Sequence, residues 1–153
     1  MAATTENLIA QGTLTTLLST ELNSLASGSY SSLGSAFNNV FATSNLNGYF
    51  LADVMLNLAA YTGTPTAGSY FGVWFIPAID GSNYDTNGST ISVGPDVIIP
   101  LDALASGPYQ RTIRNIWLPC GLFKTLGQNN GSGITFAASG NTVKVRPVSL
   151  QSQ

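Results

Sequence analysis

The sequence predicts an all-β protein, a jelly-roll-like β-sandwich of about seven to nine short strands with an extended N-terminal arm. Three observations predict it. From Gly48 onward, short apolar and β-branched runs alternate with clusters of Gly, Asn, Ser and Pro. One run alternates with period two, and another is apolar on both faces, as a strand covered on both sides should be. Neither a repeat of fixed period nor a βαβ nucleotide-binding unit interrupts this pattern. At 153 residues the chain has the usual size of one domain and can bury a core without metal or disulfide staples. Residues 1–12 read as the arm and 13–153 as a single β-sandwich domain.

Met1 to Gln11 has little to pack and reads as an arm that a partner orders. Leu14, Leu17, Leu18, Leu22 and Leu25 fall at helical spacing, but the Thr, Ser and Asn residues between them form helices poorly. Strands over Leu14–Leu18 and Ser29–Phe37, joined by the SLASGS turn, fit as well, and the segment is taken as mostly strand and extended chain. Phe50, Ala52, Val54, Leu56 and Leu58 alternate with Leu51, Asp53, Met55 and Asn57, giving one dry and one mixed face. The turn Tyr61–Gly68 closes that strand. Tyr70–Ile79 is apolar on both faces and reads as a central strand, with Pro77 at a bulge or at its end.

After a polar loop at Asp80–Thr90, Val97–Leu104 is a third strand, broken by Pro100. Arg111–Leu118 sets Ile113, Asn115 and Trp117 against Thr112, Arg114 and Ile116. Residues 119–121 turn the chain into Leu122–Leu126, and QNNGSG supplies the next reversal. Ile134–Ala138 and Val143–Val148, joined by SGNT, read as a closing hairpin.

Composition narrows the function classes. Charged residues make up 8% of the chain and hydrophobic ones 44%, which excludes intrinsic disorder. A surface so poor in charge suits a protein largely covered by its partners. The single Cys120 excludes an internal disulfide, and the start does not read as a secretory signal, so export by that route is not expected. No apolar run is long enough to span a bilayer as a helix. A net charge of −2 gives no overall basic field, so neither nucleic acid nor membrane is expected as a partner. All seven acids (Glu6, Glu21, Asp53, Asp80, Asp85, Asp96, Asp102) precede all five bases (Arg111, Arg114, Lys124, Lys144, Arg146). Either a handful of charges is scattered in space by strand order, or the last strands carry a basic face for an acidic partner or a neighbouring copy.

The chain contains no His, which removes the usual general base and the commonest transition-metal ligand. Cys120 follows Pro119 with no basic neighbour in sequence and reads as a buried or half-buried small hydrophobe. Asp80 and Asp85 lie in DGSNYDTNG, where turn formation explains them better than calcium, because the alternating acidic register and terminal Glu are missing. Asp53, Asp96 and Asp102 form no evident pair for glycoside hydrolysis. GQNNGSG lacks the pattern of a phosphate loop. No enzyme activity, cofactor or metal is expected. Trp74, Tyr84, Tyr109 and Trp117 are candidates for a sugar platform, although core packing explains Trp74 better.

Residues 105–150 resemble a group of small proteins encoded among the head genes of tailed bacteriophages, several of them capsid cement or decoration proteins. The pieces are R-x-I-x-N-I-W-L-P-x-G-L-F-K at 111–124, the Asn-Asn-Gly turn, and A-A-S-G-N-T-V-K-V at 137–145. The resemblance extends more loosely through the Asp53 strand and the DGSNY loop. It implies a jelly-roll homo-oligomer, a dimer or a trimer, on the outer surface of the virion head, made in the bacterial host cytoplasm. Its partner would be a major capsid protein of HK97-like fold. Candidate contact residues are Ala2, Thr5, Glu6 and Leu8 of the arm, and Arg111, Arg114, Lys144 and Arg146 of the basic strands. The rival readings are a carbohydrate- or receptor-binding module of a phage particle, and a lyase or hydrolase working with carboxylates alone.

Overall fold

The structure is a computed structural model, and it describes residues 7–39, 49–84, 91–102 and 106–152. Nine strands and one 3-10 turn organise them: β1 (Asn7–Gln11), β2 (Thr15–Leu18), the turn Thr20–Leu22, β3 (Phe37–Asn39), β4 (Leu51–Leu58), β5 (Tyr70–Pro77), β6 (Val97–Pro100), β7 (Tyr109–Trp117), β8 (Gly121–Asn130) and β9 (Thr142–Ser152). Every pairing is antiparallel. One sheet runs β9-β4-β7, with β1 and β2 sharing the flank of β9; the other runs β3-β8-β5-β6. The pairs β2–β9, β3–β8, β4–β7 and β5–β6 are those of an antiparallel ribbon wrapped over itself, so the sandwich is a jelly roll.

β4 forms as its alternation predicts: Ala52, Val54, Leu56 and Leu58 are buried and the residues between them half-exposed. They meet Phe71, Val73 and Phe75 of β5, Phe123 of β8, and Val143 and Val145 of β9 in the core between the sheets. Phe123 lies 5.3 Å, centroid to centroid, from both Phe37 and Phe75, in the tilted and edge-on geometries that aromatic rings prefer. The second apolar face of β5 is covered by loops, not by a third layer. Trp74 and Ile76, with Leu126 of β8, pack against Tyr30, Leu33, Tyr84 and Ile91, and Trp74 Nε1 donates to the Val93 carbonyl at 3.0 Å.

Several expectations are corrected. Asn7–Gln11 is no free arm; it pairs with Val148–Ser152 as β1, supplying the backbone partners that the local sequence does not reveal. Leu8 is thus a strand residue opposite Gln151, while Ala2, Thr5 and Glu6 lie outside the described residues. Ser29–Phe37 is not a strand: Tyr30 makes one isolated bridge to Gln128, and β3 begins only at Phe37. Gln128–Asn130 is not a turn but the end of β8. Ile134–Ala138 makes no hairpin with β9, whose flanks are taken by β4 on one side and by β1 and β2 on the other. Instead its backbone bonds to the segment around Leu25 and to the buried Asn129, whose Nδ2 donates to Ile134 O at 2.9 Å and Leu25 O at 3.2 Å.

Candidate interaction surface

In a strand, residues three apart face opposite ways and residues two apart share a face. Arg111 and Arg114 are therefore separated, and Lys144 and Arg146 are kept together. Arg111 turns toward the rim of the sandwich, where its NH2 pairs with Asp102 and its Nε donates to the Tyr109 hydroxyl at 3.4 Å. It is the one ion pair among the described residues. Tyr109 is 4% exposed and donates its hydroxyl to the Pro100 carbonyl, and burial raises its phenol above the ordinary range, so it remains a donor. Arg111 thus ties β7 to the end of β6, apart from Arg114, Lys144 and Arg146, with its side chain 42% exposed at the rim.

The outer face of the β9-β4-β7 sheet collects the other three cations. Registers place Arg146 opposite Asp53, and Lys144 opposite Met55, which in turn faces Thr112. Arg114 sits beside Asp53 from the β7 side. Leu14, Asp53, Met55, Thr112, Arg114 and Arg146 line a shallow hollow of about 190 Å³. Arg114 and Arg146 flank the Asp53 carboxylate and Lys144 lies farther along the same face, so this face carries surplus positive charge on a protein whose net charge is −2. Asp53 and Met55 were missed as members of the site. Their alternation with the dry face of β4 is the signal that places them there.

A bulge shapes the far end of this face. Ala52 pairs with Ile116 and Val54 with Ile113, so Arg114 and Asn115 together oppose Asp53. Asn115 takes the left-handed conformation, with φ of 59°, and its N–H donates to Asp53 Oδ1 at 3.4 Å. Trp117, opposite Leu51, is left 72% exposed, with the Phe50 ring edge-on to it at 6.5 Å.

The proposed aromatic platform does not assemble: Tyr109 is buried, Tyr84 lies under the Lys124 ammonium at 4.6 Å, and Trp74 is in the loop-covered cluster. Cys120, expected to be buried or half-buried, is exposed in the β7–β8 turn, where no apolar neighbour covers it as a core residue. Asp80 accepts bonds from the Asn83 and Ser82 N–H groups and from the Asn83 side-chain amide, which hold its carboxyl down to about 2; this is a closed turn motif. Among the described residues, no three of Cys, Asp and Glu gather where a metal ion could bind, and no helix is long and apolar enough to cross a membrane. Comparison with known proteins finds no family model, no curated protein and no solved structure that matches the chain.

Proposed function

We propose that this chain is a structural virion protein that binds the outer surface of a tailed-phage head and cements major capsid subunits of HK97-like fold. The observation that carries the reading is the contrast between the two sheets. The outer face of β5 and β8 is closed by loops that bury Trp74, Ile76 and Leu126, whereas the outer face of β9-β4-β7 is open and carries Arg114 and Arg146 beside Asp53, and Lys144 opposite Met55. A flat, open, cation-rich face suits adhesion to a large acidic surface better than enclosure of a small molecule. The motifs at 111–124 and 137–145, read as resembling those of phage head proteins, are part of this proposal.

Cementing needs no strong single contact. Copies placed on a lattice each add a modest interface across subunit junctions, and simultaneous engagement makes the sum resist expansion of the shell. Association of the chain with itself, as a dimer or a trimer, would use an edge such as β6 or β7, which removes an aggregation hazard. The reading places the mature protein on the virion exterior after synthesis in the host cytoplasm.

The test is cosedimentation of the purified chain with heads of the same phage assembled without it, at low and moderate salt. Saturable binding at a fixed ratio to capsid subunits, weaker at the higher salt, is the expected result. A second reading, a carbohydrate- or receptor-binding module, is favoured by the exposure of Trp117. Glycan binding by the free chain, with no sedimentation on heads, would establish it instead.

A further inference from the structure

Trp117 stands where the period of β7 would not put it. Continued from Tyr109 and Ile113, a regular strand would turn Asn115 and Trp117 toward the core. The bulge at Arg114–Asn115 adds one residue, which turns Ile116 and Leu118 inward and Trp117 outward; Leu118 is buried and Trp117 is 72% exposed. The chain accepts a left-handed non-glycine residue at Asn115 and forgoes burial of an indole to achieve this. Bulges recur where a strand must re-aim a side chain.

Resting on the head-surface reading above, we infer that Trp117 is the anchor of the docking face, its indole entering an apolar pocket on the shell protein rimmed by carboxylates. Trp, Arg and Met are the residues enriched in interface centres, and Trp117, Met55, Arg114 and Arg146 share this face. The edge-on Phe50 ring limits the indole's freedom, which lowers the cost of fixing it in a pocket. The surplus of cations selects the acidic rim. A division of labour follows: the indole governs dissociation, while Arg114, Lys144 and Arg146 govern association and its salt dependence.

The chain has two Trp residues, and Trp74 is 4% exposed with its Nε1 bonded to Val93 O. Acrylamide quenching of the wild type, with the Trp117→Phe signal subtracted, therefore reads Trp117. The expected result is free quenching in the isolated chain, protection on saturated heads, and a loss of affinity of roughly 30-fold or more for Trp117→Ala. That loss should come through faster dissociation, with the salt dependence retained. An unshifted thermal transition confirms that the variant folds. Undiminished binding by Trp117→Ala, or Trp117 still open to quencher on heads saturated with wild-type chain, overturns the inference while leaving the head-surface reading standing. Failure of the wild type to sediment overturns both. Protection of Trp117 by a glycan in the absence of heads overturns the anchor in favour of a sugar site.

Discussion

Gly127→Ala tests the packing of the sandwich directly. Gly127 lies in β8 opposite Val73, and a Cβ there would stand 2.5 Å from Phe71 Cζ and 3.1 Å from Leu18 Cδ1. Carbon atoms pack best at about 3.5–4.0 Å, so the new methyl is about 1 Å too close to the ring. Phe71 has no exposed surface and lies 5.9 Å from the Phe136 ring, so it cannot retreat without moving a second aromatic. Gly127 cannot shift readily either, because its N–H and carbonyl both bond to Ser31, at 2.9 and 2.8 Å. Overpacking of this kind costs about 1–3 kcal/mol. Removing a strand glycine returns about 0.5–1 kcal/mol by restricting the unfolded chain. A 2.5 Å contact that neither side can relieve belongs in the upper part of the overpacking range, about 2–3 kcal/mol, so the net loss is about 1–2.5 kcal/mol, or roughly 2–10 °C in Tm for a domain of this size. Urea unfolding and calorimetry read it, with Gly94→Ala as control, since a Cβ at Gly94 meets nothing within 4 Å. Gly127→Ala as stable as the wild type would refute the packing described between β8 and the core.

Asn141 is 1% exposed; its Nδ2 donates to Ala137 O at 2.7 Å and its Oδ1 accepts from Ala59 N at 3.2 Å. Asn141→Ala leaves the Ala59 N–H without this acceptor and the Ala137 carbonyl with the Ser24 N–H alone, and should cost about 1–3 kcal/mol in urea unfolding. Asp96 and Asp80 should pull stability in opposite directions with pH. Burial raises the Asp96 carboxyl above 3.8, only partly offset by the Phe75 N–H, so its contribution is complete below 3.8 and lost as pH rises through the folded value. Asp96→Asn keeps an acceptor for Phe75 without the charge, and its stability relative to wild type should rise from acid to neutral pH. The hydrogen bonds on Asp80 lower it to about 2, so its contribution is complete above 3.8 and lost as pH falls through about 2. Asp80→Asn should therefore be less stable than wild type at neutral pH and converge with it in acid, measured as denaturant midpoints across the range.

The strands that were legible are those whose burial is periodic. β4 has one dry face, β5 has two, and each became the strand its pattern implied. Ile134 and Phe136 also alternate and are buried, but their backbone partners are Leu25 and a side chain of β8, which no local pattern contains. β1 is a stronger case: Asn7 pairs with Ser152, at the opposite end of the chain. The basic site was legible in part. Spacing alone separates Arg111 from Arg114, whereas the exposure of Trp117 depends on a bulge whose only sequence signal is an Asn within a β-branched run. Asn129 and Asn141 looked like turn residues because buried Asn and loop Asn are identical in sequence; only the packed structure shows that they tie loops to the sandwich.

If the open face of β9-β4-β7 meets the shell as proposed, phage heads should discriminate between the wild type and Arg114→Glu/Arg146→Glu when the occupancy of each is measured side by side. The double variant should fold normally, because both side chains are exposed, yet bind far below the wild-type ratio, with Arg111→Gln binding near it. Equal occupancy by the double variant and the wild type would contradict the assignment of this face.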